Sequence, residues 1–237
     1  MPEPKYRRVL VKLSGEALLG DLDHGIHPGA IAKICAELVN AYKVGVQLAI
    51  VIGGGNIWRG GENQIPDVNR VTADNMGMLA TVINALALQD ALESRQVPTR
   101  VQSAIEINKL VEPYIPRRAV RHLEKGRVVI FAGGIGSPYF TTDTTAALRS
   151  IEVDAQILLK ATKVDGVYTD DPKKNSKAKK YDTLGFEEAI TKRLKIMDTS
   201  AFTLCMDNKI PVLVFDLNVN GNITKAVKGE KVGTLIN

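Results

Sequence analysis

Two segments of the sequence carry an apolar side chain at every position: residues 48–52 (LAIVI) and 128–132 (VVIFA). Consecutive residues of a β-strand point to opposite faces of its sheet, so a strand of this composition must be covered on both faces. Such strands are typical of parallel sheets with helices packed against each side. The two segments therefore predict an α/β protein with these strands in its middle layer.

Short β-rich runs alternate with longer helical patterns along the whole chain. Strands are predicted at residues 8–13, 46–52, 99–102, 127–132, 155–160 and 211–216. Helices are predicted at residues 29–43 after Pro28, at 73–92, and at 199–208 with Asp198 as the N-cap. This order predicts a three-layer αβα sandwich on a mostly parallel sheet. Because no Pro/Ser/Gly-rich linker divides the 237 residues, we expect a single domain, 1–237.

The predicted helix 73–92 is apolar on nearly every face, which indicates burial in the core or contact with a second subunit. The charge-free windows 44–58, 75–89 and 128–142 are 15 residues long, shorter than the ~18 apolar residues that cross a bilayer. The basic N-terminus lacks a cleavage-site pattern, and Cys35 and Cys205 lie on helical patterns typical of core thiols. We expect a cytoplasmic protein without a membrane segment.

Glycines cluster directly after three predicted strands, in residues 12–15 (KLSG), 53–56 (GGGN) and 133–137 (GGIGS). Glycine lets backbone N–H groups approach phosphate oxygens closely, and the carboxyl ends of parallel strands share one crevice. A single loop of this kind is explained equally well as a tight strand-to-helix turn, but three of them favour phosphate binding. The sequence contains no Walker A motif, and no Rossmann fingerprint follows the second or fourth strand.

Charged residues occur at the ends of these strands. Lys12 interrupts the apolar run 9–13, and Lys160 ends another apolar strand. A lysine at such a position either extends to solvent or meets an anion, and two of them favour cations that converge on a transferred phosphate. Arg59 could bind the same anion. Asp143 opens a predicted helix, where a first-turn carboxylate is the alternative to a role in the site.

Five segments carry a family resemblance: residues 12–18 (KLSGEAL), 52–59 (IGGGNIWR), 76–81 (MGMLAT), 138–143 (PYFTTD) and 160–172 (KATKVDGVYTDDP). They resemble the bacterial UMP kinases (uridylate kinases) of the amino acid kinase superfamily, and the similarity covers essentially the whole chain. KLSG and GGGN also suit relatives that act on aspartate, glutamate or acetylglutamate, whereas MGMLAT and PYFTTD indicate UMP. The resemblance implies the amino acid kinase fold and ATP-dependent phosphorylation of UMP to UDP in de novo pyrimidine biosynthesis. The alternative is a superfamily member that phosphorylates a carboxylate.

The resemblance also implies residue roles. The implied ATP site contains Lys12, Leu13, Ser14, Gly15, Gly55, Arg59, Thr162, Tyr168 and Asp171. The implied UMP site contains Gly54, Asp74, Ile135, Gly136, Ser137, Pro138, Tyr139, Phe140, Thr141 and Thr142. The implied catalytic residues, which organise the transferring phosphoryl group, are Lys12, Asp143 and Lys160. Protein ligands to a metal are not assigned, since Mg²⁺ would be bound with ATP. Ile135 lacks the hydroxyl that the family usually has there, and Ala73 replaces the usual glycine.

Further properties follow from the resemblance. The phosphate of UMP has a second pKa of about 6 and needs no general base at neutral pH, which agrees with motifs that contain no histidine. The family implies a homohexamer, with helix 73–92 as a subunit contact, GTP as activator and UTP as inhibitor. Gln89 and Glu93 stand where GTP-responsive members tend to be basic.

A nucleic-acid-binding role is the main alternative from another class. The net charge is +5, the pI is about 9.1, and residues 173–180 (KKNSKAKK) contain five lysines. This run contains no aromatic residue or arginine, and it follows Asp170 and Asp171. It therefore indicates a solvated loop, and nucleic acid is not an expected partner.

Overall fold

The computed structural model describes residues 4–59, 67–172, 174–175 and 177–237. Its strands are β1 (Arg8–Leu13), β2 (Gln47–Ile52), β3 (Thr99–Ser103), β4 (Glu112–Pro113), β5 (Val128–Ala132), β6 (Leu158–Thr162), β7 (Thr183–Leu184), β8 (Val212–Asp216) and β9 (Thr234–Ile236). Within the described residues they form one sheet in the order β4-β3-β5-β2-β1-β6-β8-β9-β7. Neighbouring strands are parallel except β8 and β9, which are antiparallel. The mostly parallel sheet is thus confirmed.

Helices cover both faces of this sheet. The α-helices of the described chain are α1 (Pro28–Lys43), α2 (Arg70–Glu93), α3 (Pro116–Glu124), α4 (Thr142–Glu152), α5 (Phe186–Thr191), α6 (Thr199–Asp207) and α7 (Asn222–Lys228), and a short 3-10 helix spans Gly15–Leu18. Along β1, Val9 and Val11 enter the core shared with α1, α2 and α7, whereas Leu10 enters the core shared with α3, α4, α5 and α6. Alternate residues of one apolar strand therefore fill two separate cores, which confirms the predicted αβα sandwich.

The sequence signals at helix starts are also confirmed. Pro28 is the first residue of α1, where its missing N–H costs nothing. The carboxylate of Asp198 caps α6 by accepting a hydrogen bond from the backbone N–H of Ala201 at 3.0 Å. The cysteines Cys35 and Cys205 are both buried and unpaired, as expected, and burial raises the pKa of Cys205 to about 12.

Two details of the strand prediction are wrong. β6 begins at Leu158 rather than at Ala155, because the backbone N–H of Ala155 still bonds the carbonyl of Ser150 in α4 at 2.8 Å. The strands β4, β7 and β9 were not predicted, since two or three residues are too few to show a periodicity.

α2 is 24 residues long and buries one face on the sheet. By length and composition alone it could cross a bilayer, unlike the shorter windows considered from sequence. Its residues Val82, Ala85, Leu88 and Leu92 pack in the core beside the strands, however, as in the core helix of a globular fold. Leu79 and Ile83, one turn apart, are 49% and 52% exposed. The helix is therefore partly buried, with apolar side chains also on its outer face.

Candidate active site

The glycine loops meet at the carboxyl ends of the central strands. β1 pairs with β2 on one side and with β6 on the other, so the order of strands reverses at β1. Parallel α/β sheets bind ligands at such a reversal. The backbone N–H of Gly53 donates to the carbonyl of Leu13 at 2.9 Å, and a Cβ at Gly15 would lie 2.7 Å from the nitrogen of Gly55. Only glycine at position 15 lets these two loops pack so closely.

Two buried lysines flank one carboxylate in this crevice. Lys12 on β1 and Lys160 on β6 are paired residues of neighbouring strands, and their side chains are 12% and 11% exposed. The Nζ of Lys12 lies 2.9 Å from Oδ1 of Asp143, and the Nζ of Lys160 donates to Oδ2. The cluster therefore has two positive charges and one negative charge, which leaves one cation uncompensated for an anionic ligand.

Burial and charge act in opposite directions on the pKa values of this cluster. Burial favours the protonated carboxyl of Asp143, but the adjacent charges of Lys12 and Lys160 outweigh it and lower its pKa below 3.8. Burial also lowers the pKa of Lys160 below 10.5, although the carboxylate of Asp143 opposes that shift. Asp143 is thus ionised at neutral pH.

The position of Asp143 follows from the N-terminus of α4. The N-cap is Thr141, whose hydroxyl oxygen accepts from the backbone N–H groups of Asp143 at 3.0 Å and Thr144 at 3.2 Å. The hydroxyls of Thr141 and Thr144 donate to Asp198, the N-cap of α6. Asp198 therefore connects the starts of two helices directly behind the lysine cluster. Asp143 is both a first-turn residue and the partner of the lysines.

A cavity of about 710 Å³ opens beside the cluster. Its lining includes Lys12, Ser14, Lys160, Thr162, Leu217 and Asn218. This volume lies in the range of ~300–1,000 Å³ that is usual for small-molecule and cofactor sites. A ligand of nucleotide size in this cavity would lie next to the uncompensated cation.

A second ion cluster lies at the same edge of the sheet. The Oε1 atom of Glu16 lies 2.7 Å from Nη2 of Arg59, and its Oε2 atom lies 3.0 Å from Nζ of Lys163. The hydrogen bond from Lys163 is the main cause of a lowered pKa of Glu16. The Nε of Arg59 also donates to the carbonyl of Gly55 at 3.0 Å, which ties Arg59 to the second glycine loop. Two further cations are thus held close to the glycine loops.

On the other side of the crevice, the loop 133–141 packs against α2. The backbone N–H of Gly133 donates to the hydroxyl oxygen of Thr81 at 2.8 Å, and that of Tyr139 donates to Oδ2 of Asp74 at 2.8 Å. A Cβ at Gly54 would lie 2.8 Å from the Cβ of Ala80, so the second glycine loop also contacts α2 closely. The side chains of Tyr139 and Phe140 remain exposed. These contacts form a second wall of the crevice, whose backbone groups and exposed aromatic rings could contact a ligand.

Residues 7–216 match the model of the amino acid kinase family. The chain belongs to the amino acid kinase family. The solved structure of UMP kinase from Bacillus anthracis is similar with 41% identity and a TM-score of 0.95, over 98% of this chain and 96% of that one. UMP kinase from Ureaplasma parvum is similar with 39% identity and a TM-score of 0.93, over 98% and 99%. Uridylate kinase from Archaeoglobus fulgidus has 28% identity and a TM-score of 0.73, over 97% and 99%.

The structure of this amino acid kinase brings some predicted residues together and leaves others apart. Lys12, Ser14, Lys160 and Thr162 line the cavity, whereas the side chain of Leu13 is buried in the core. The other residues of the implied ATP site do not line the cavity: Gly15, Gly55, Arg59, Tyr168 and Asp171. None of the residues of the implied UMP site lines this cavity: Gly54, Asp74, Ile135, Gly136, Ser137, Pro138, Tyr139, Phe140, Thr141 and Thr142.

Four charged residues of this amino acid kinase were not predicted as site residues: Glu16, Arg70, Lys163 and Asp198. Glu16 directly follows the glycine loop after β1, Lys163 directly follows the last residue of β6, and a charge at the carboxyl end of a strand is a usable signal. Arg70 precedes Asp74 by one helical turn, a spacing that pairs opposite charges on a helix. For Asp198, the capping pattern was visible, but its contact with α4 was not.

The lysine-rich run extends from residue 173 to 180, and Lys173 and Ser176 lie outside the described residues. Lys174, Lys177 and Lys179 are exposed, and Lys180 forms an ion pair with Asp165 at 3.2 Å. This agrees with the solvated loop expected from sequence, and a nucleic-acid role gains no support from it.

Proposed function

We propose that this amino acid kinase phosphorylates UMP to UDP with ATP as phosphoryl donor, in de novo pyrimidine nucleotide biosynthesis. The cluster of Lys12, Asp143 and Lys160 at the meeting point of the glycine loops is the observation that carries the proposal. The similarity to two UMP kinases over nearly the whole of both chains specifies the acceptor. A carboxylate substrate is not favoured, since the two similar structures at 41% and 39% identity are UMP kinases.

The two substrates bind on opposite sides of the crevice. ATP occupies the cavity that Lys12, Ser14 and Thr162 line, and its triphosphate extends toward Leu13, Gly15, Gly55 and Arg59. Tyr168 and Asp171, in the loop after β6, lie toward its adenosine. UMP occupies the opposite wall, which is formed by Gly54, Asp74 and the loop from Ile135 to Thr142. We call it the acceptor wall. Lys12, Asp143 and Lys160 lie where the two phosphates meet.

The chemistry needs positioning and charge neutralisation rather than proton transfer. UMP is mostly a dianion at neutral pH because its second pKa is about 6, so its phosphate oxygen is already a nucleophile. The uncompensated cation of the lysine cluster stabilises charge on the transferred group. Asp143 is poorly suited to act as a base, because its lowered pKa means that it binds a proton weakly and because both of its oxygens face lysines. Its role is to hold Lys12 and Lys160 in position.

The residues fit Mg²⁺ that is bound mainly by ATP. Within the described part of the chain, no three His, Cys, Asp or Glu side chains converge as a metal site. Mg²⁺ commonly keeps several waters and binds substrate phosphates with few protein carboxylates, so this arrangement is compatible with it. When bound with ATP, it would neutralise charge on the β- and γ-phosphates.

The proposal extends to assembly and regulation. The exposed Leu79 and Ile83 on α2 favour a contact between subunits of a homohexamer, because apolar side chains on an outer helix face gain from burial. Each subunit is one domain, 1–237, and the enzyme works in the cytoplasm. GTP is the proposed activator and UTP the proposed inhibitor, and nucleic acid and membranes are not partners. UTP shares its uridine with UMP and would compete for the acceptor wall.

The first test is an acceptor assay. The purified protein is incubated with Mg²⁺ and ATP together with UMP, CMP, aspartate or glutamate in turn, and formation of ADP is measured. We expect rapid turnover with UMP and none above background with the two amino acids. Preferred phosphorylation of aspartate or glutamate would contradict the proposal, and the Lys12→Ala protein provides the background for a contaminating kinase.

Replacing Asp74 with asparagine is expected to raise the KM for UMP at least ~10-fold, since a hydrogen bond to a charged group contributes about 1.5–3 kcal/mol. The KM for ATP should change less than ~2-fold, because Asp74 lies on the acceptor wall. Initial rates over a matrix of both substrate concentrations give the two constants. Equal changes in both would place Asp74 outside the UMP site.

A further inference from the structure

Arg70, in the first turn of α2, contacts two elements of the acceptor wall. Its Nε lies 2.8 Å from each carboxylate oxygen of Asp74, one helical turn further on. Its guanidinium carbon lies 5.7 Å from the centroid of the Tyr139 ring, within the ~6 Å at which a cation is attracted to an aromatic face. Tyr139 in turn donates its backbone N–H to Oδ2 of Asp74 at 2.8 Å. The three residues form a closed set of contacts, which we call the α2 brace.

The α2 brace holds a backbone conformation that a tyrosine rarely adopts. Tyr139 has φ of 71°, in the left-handed region that favours glycine. A bulky residue stays in that region only when surrounding contacts impose it. The hydrogen bond to Asp74 fixes its backbone, and the guanidinium of Arg70 lies over its ring. The conformation of the loop 133–141 therefore depends on the start of α2.

Arg70 also neutralises the negative charge of Asp74. The side chain of Asp74 is 16% exposed while that of Arg70 is 53% exposed, so the arginine lies on the solvent side of the carboxylate. A carboxylate without this partner would repel a dianionic phosphate that binds to the same wall. With Arg70 in place, the pair carries no net charge. The acceptor wall can thus offer the oxygens of Asp74 as hydrogen-bond acceptors without that repulsion.

We propose that Arg70 is a positioning residue for the acceptor nucleotide, which acts through Asp74 and Tyr139 to keep the loop 133–141 in its binding conformation. The identity of the acceptor rests on the proposed function, whereas the role of Arg70 in holding the loop does not. Nothing in the motifs assigned this residue a role. Its partly exposed position makes a substitution compatible with folding.

The kinetic test uses Arg70→Ala and Arg70→Lys. Arg70→Ala is expected to raise the KM for UMP about 10-fold, the size of one lost charge-assisted contact, with the KM for ATP changed less than ~2-fold. Arg70→Lys should recover only part of this, because an ammonium restores the charge but not the planar group over Tyr139. Lys192→Ala is a matched control, since Lys192 also pairs with an acid one helical turn away, Glu188, and lies 5.2 Å from the centroid of a tyrosine ring, but belongs to another element, the end of α5. It should leave both constants unchanged.

A double-mutant cycle shows whether Arg70 acts through Asp74. In the Asp74→Asn background, the added Arg70→Ala change should raise the KM for UMP by no more than ~3-fold, because the pair is already broken. An undiminished 10-fold effect in that background would overturn the proposal. So would equal rises in both KM values, or a lower KM for UMP in Arg70→Ala, which would mean that the pair competes with the substrate.

Hydrogen exchange tests the brace without any nucleotide. Amide exchange in the peptide that contains Tyr139, followed by mass spectrometry, should be at least ~3-fold faster in Arg70→Ala than in the unmodified protein and in Lys192→Ala. Unchanged exchange would overturn the brace. If the unmodified protein fails to phosphorylate UMP, the proposed function is wrong, and the exchange result alone still supports or overturns the role of Arg70.

Discussion

Replacing Lys12 with alanine is expected to lower kcat at least ~100-fold in a protein that remains folded. Lys12 is one of two lysines that face Asp143, and Lys160 alone balances that carboxylate once Lys12 is gone. The cluster at Asp143 then has no uncompensated cation for the transferring phosphoryl group. Loss of one preorganised charge partner of this kind typically costs ~10²–10³-fold in kcat.

Single-turnover and steady-state rates with ATP and UMP measure this effect, and circular dichroism with thermal melting verifies the fold. Lys12→Arg retains the charge on a larger planar group and should recover only part of the rate. Lys192→Ala, at an exposed ion pair, is the control for losing a lysine as such. A folded Lys12→Ala protein with a near-normal kcat would eliminate Lys12 from catalysis.

Replacing Asp143 with asparagine is expected to destabilise the protein by about 3 kcal/mol and to lower kcat ~100-fold or more. The change leaves two buried lysines, paired across β1 and β6, without the carboxylate between them. Their repulsion would displace both ammonium groups from the phosphate path. Urea unfolding measures the stability, and Glu188→Gln, which removes one partner of an exposed ion pair, should leave the free energy of unfolding nearly unchanged.

The destabilisation by Asp143→Asn should depend on pH in a defined direction. The pKa of Asp143 is lower in the folded protein than its ordinary value of 3.8, so the carboxylate stabilises the folded state above that value. Its contribution is lost as the pH falls through the folded pKa. The difference in unfolding free energy between the two proteins should thus be constant from pH 5 to 7 and shrink below about pH 4. A difference that persists unchanged in acid would show that Asp143 contributes packing rather than charge.

The central layer of the fold could be predicted because local patterns carry its signal. Runs such as 48–52 are apolar at every position, and only a sheet covered on both faces accommodates them. The prediction failed at β4, β7 and β9, whose two or three residues pair only because distant strands place them at or next to an edge of the sheet. The antiparallel β9 could not be inferred, since its partner β8 lies about twenty residues earlier in the chain.

The candidate site, too, could be predicted only in part. The glycine loops and Lys12 and Lys160 were recognisable, because a cation inside an apolar strand conflicts with its surroundings and needs an anion. That this anion includes Asp143 depends on the register of β1 with β6 and on the cap of α4, which are long-range contacts.

The local sequence thus determines which segments become the central strands, where the glycine loops lie and which charges need partners, since these depend on neighbours along the chain. The tertiary structure decides which partners they find. Glu16 joins Arg59 to Lys163, and Asp198 joins two helix starts. Arg70 reaches Tyr139 only because the loop after β5 returns over α2. Such contacts connect residues far apart in the chain, and no local periodicity encodes them.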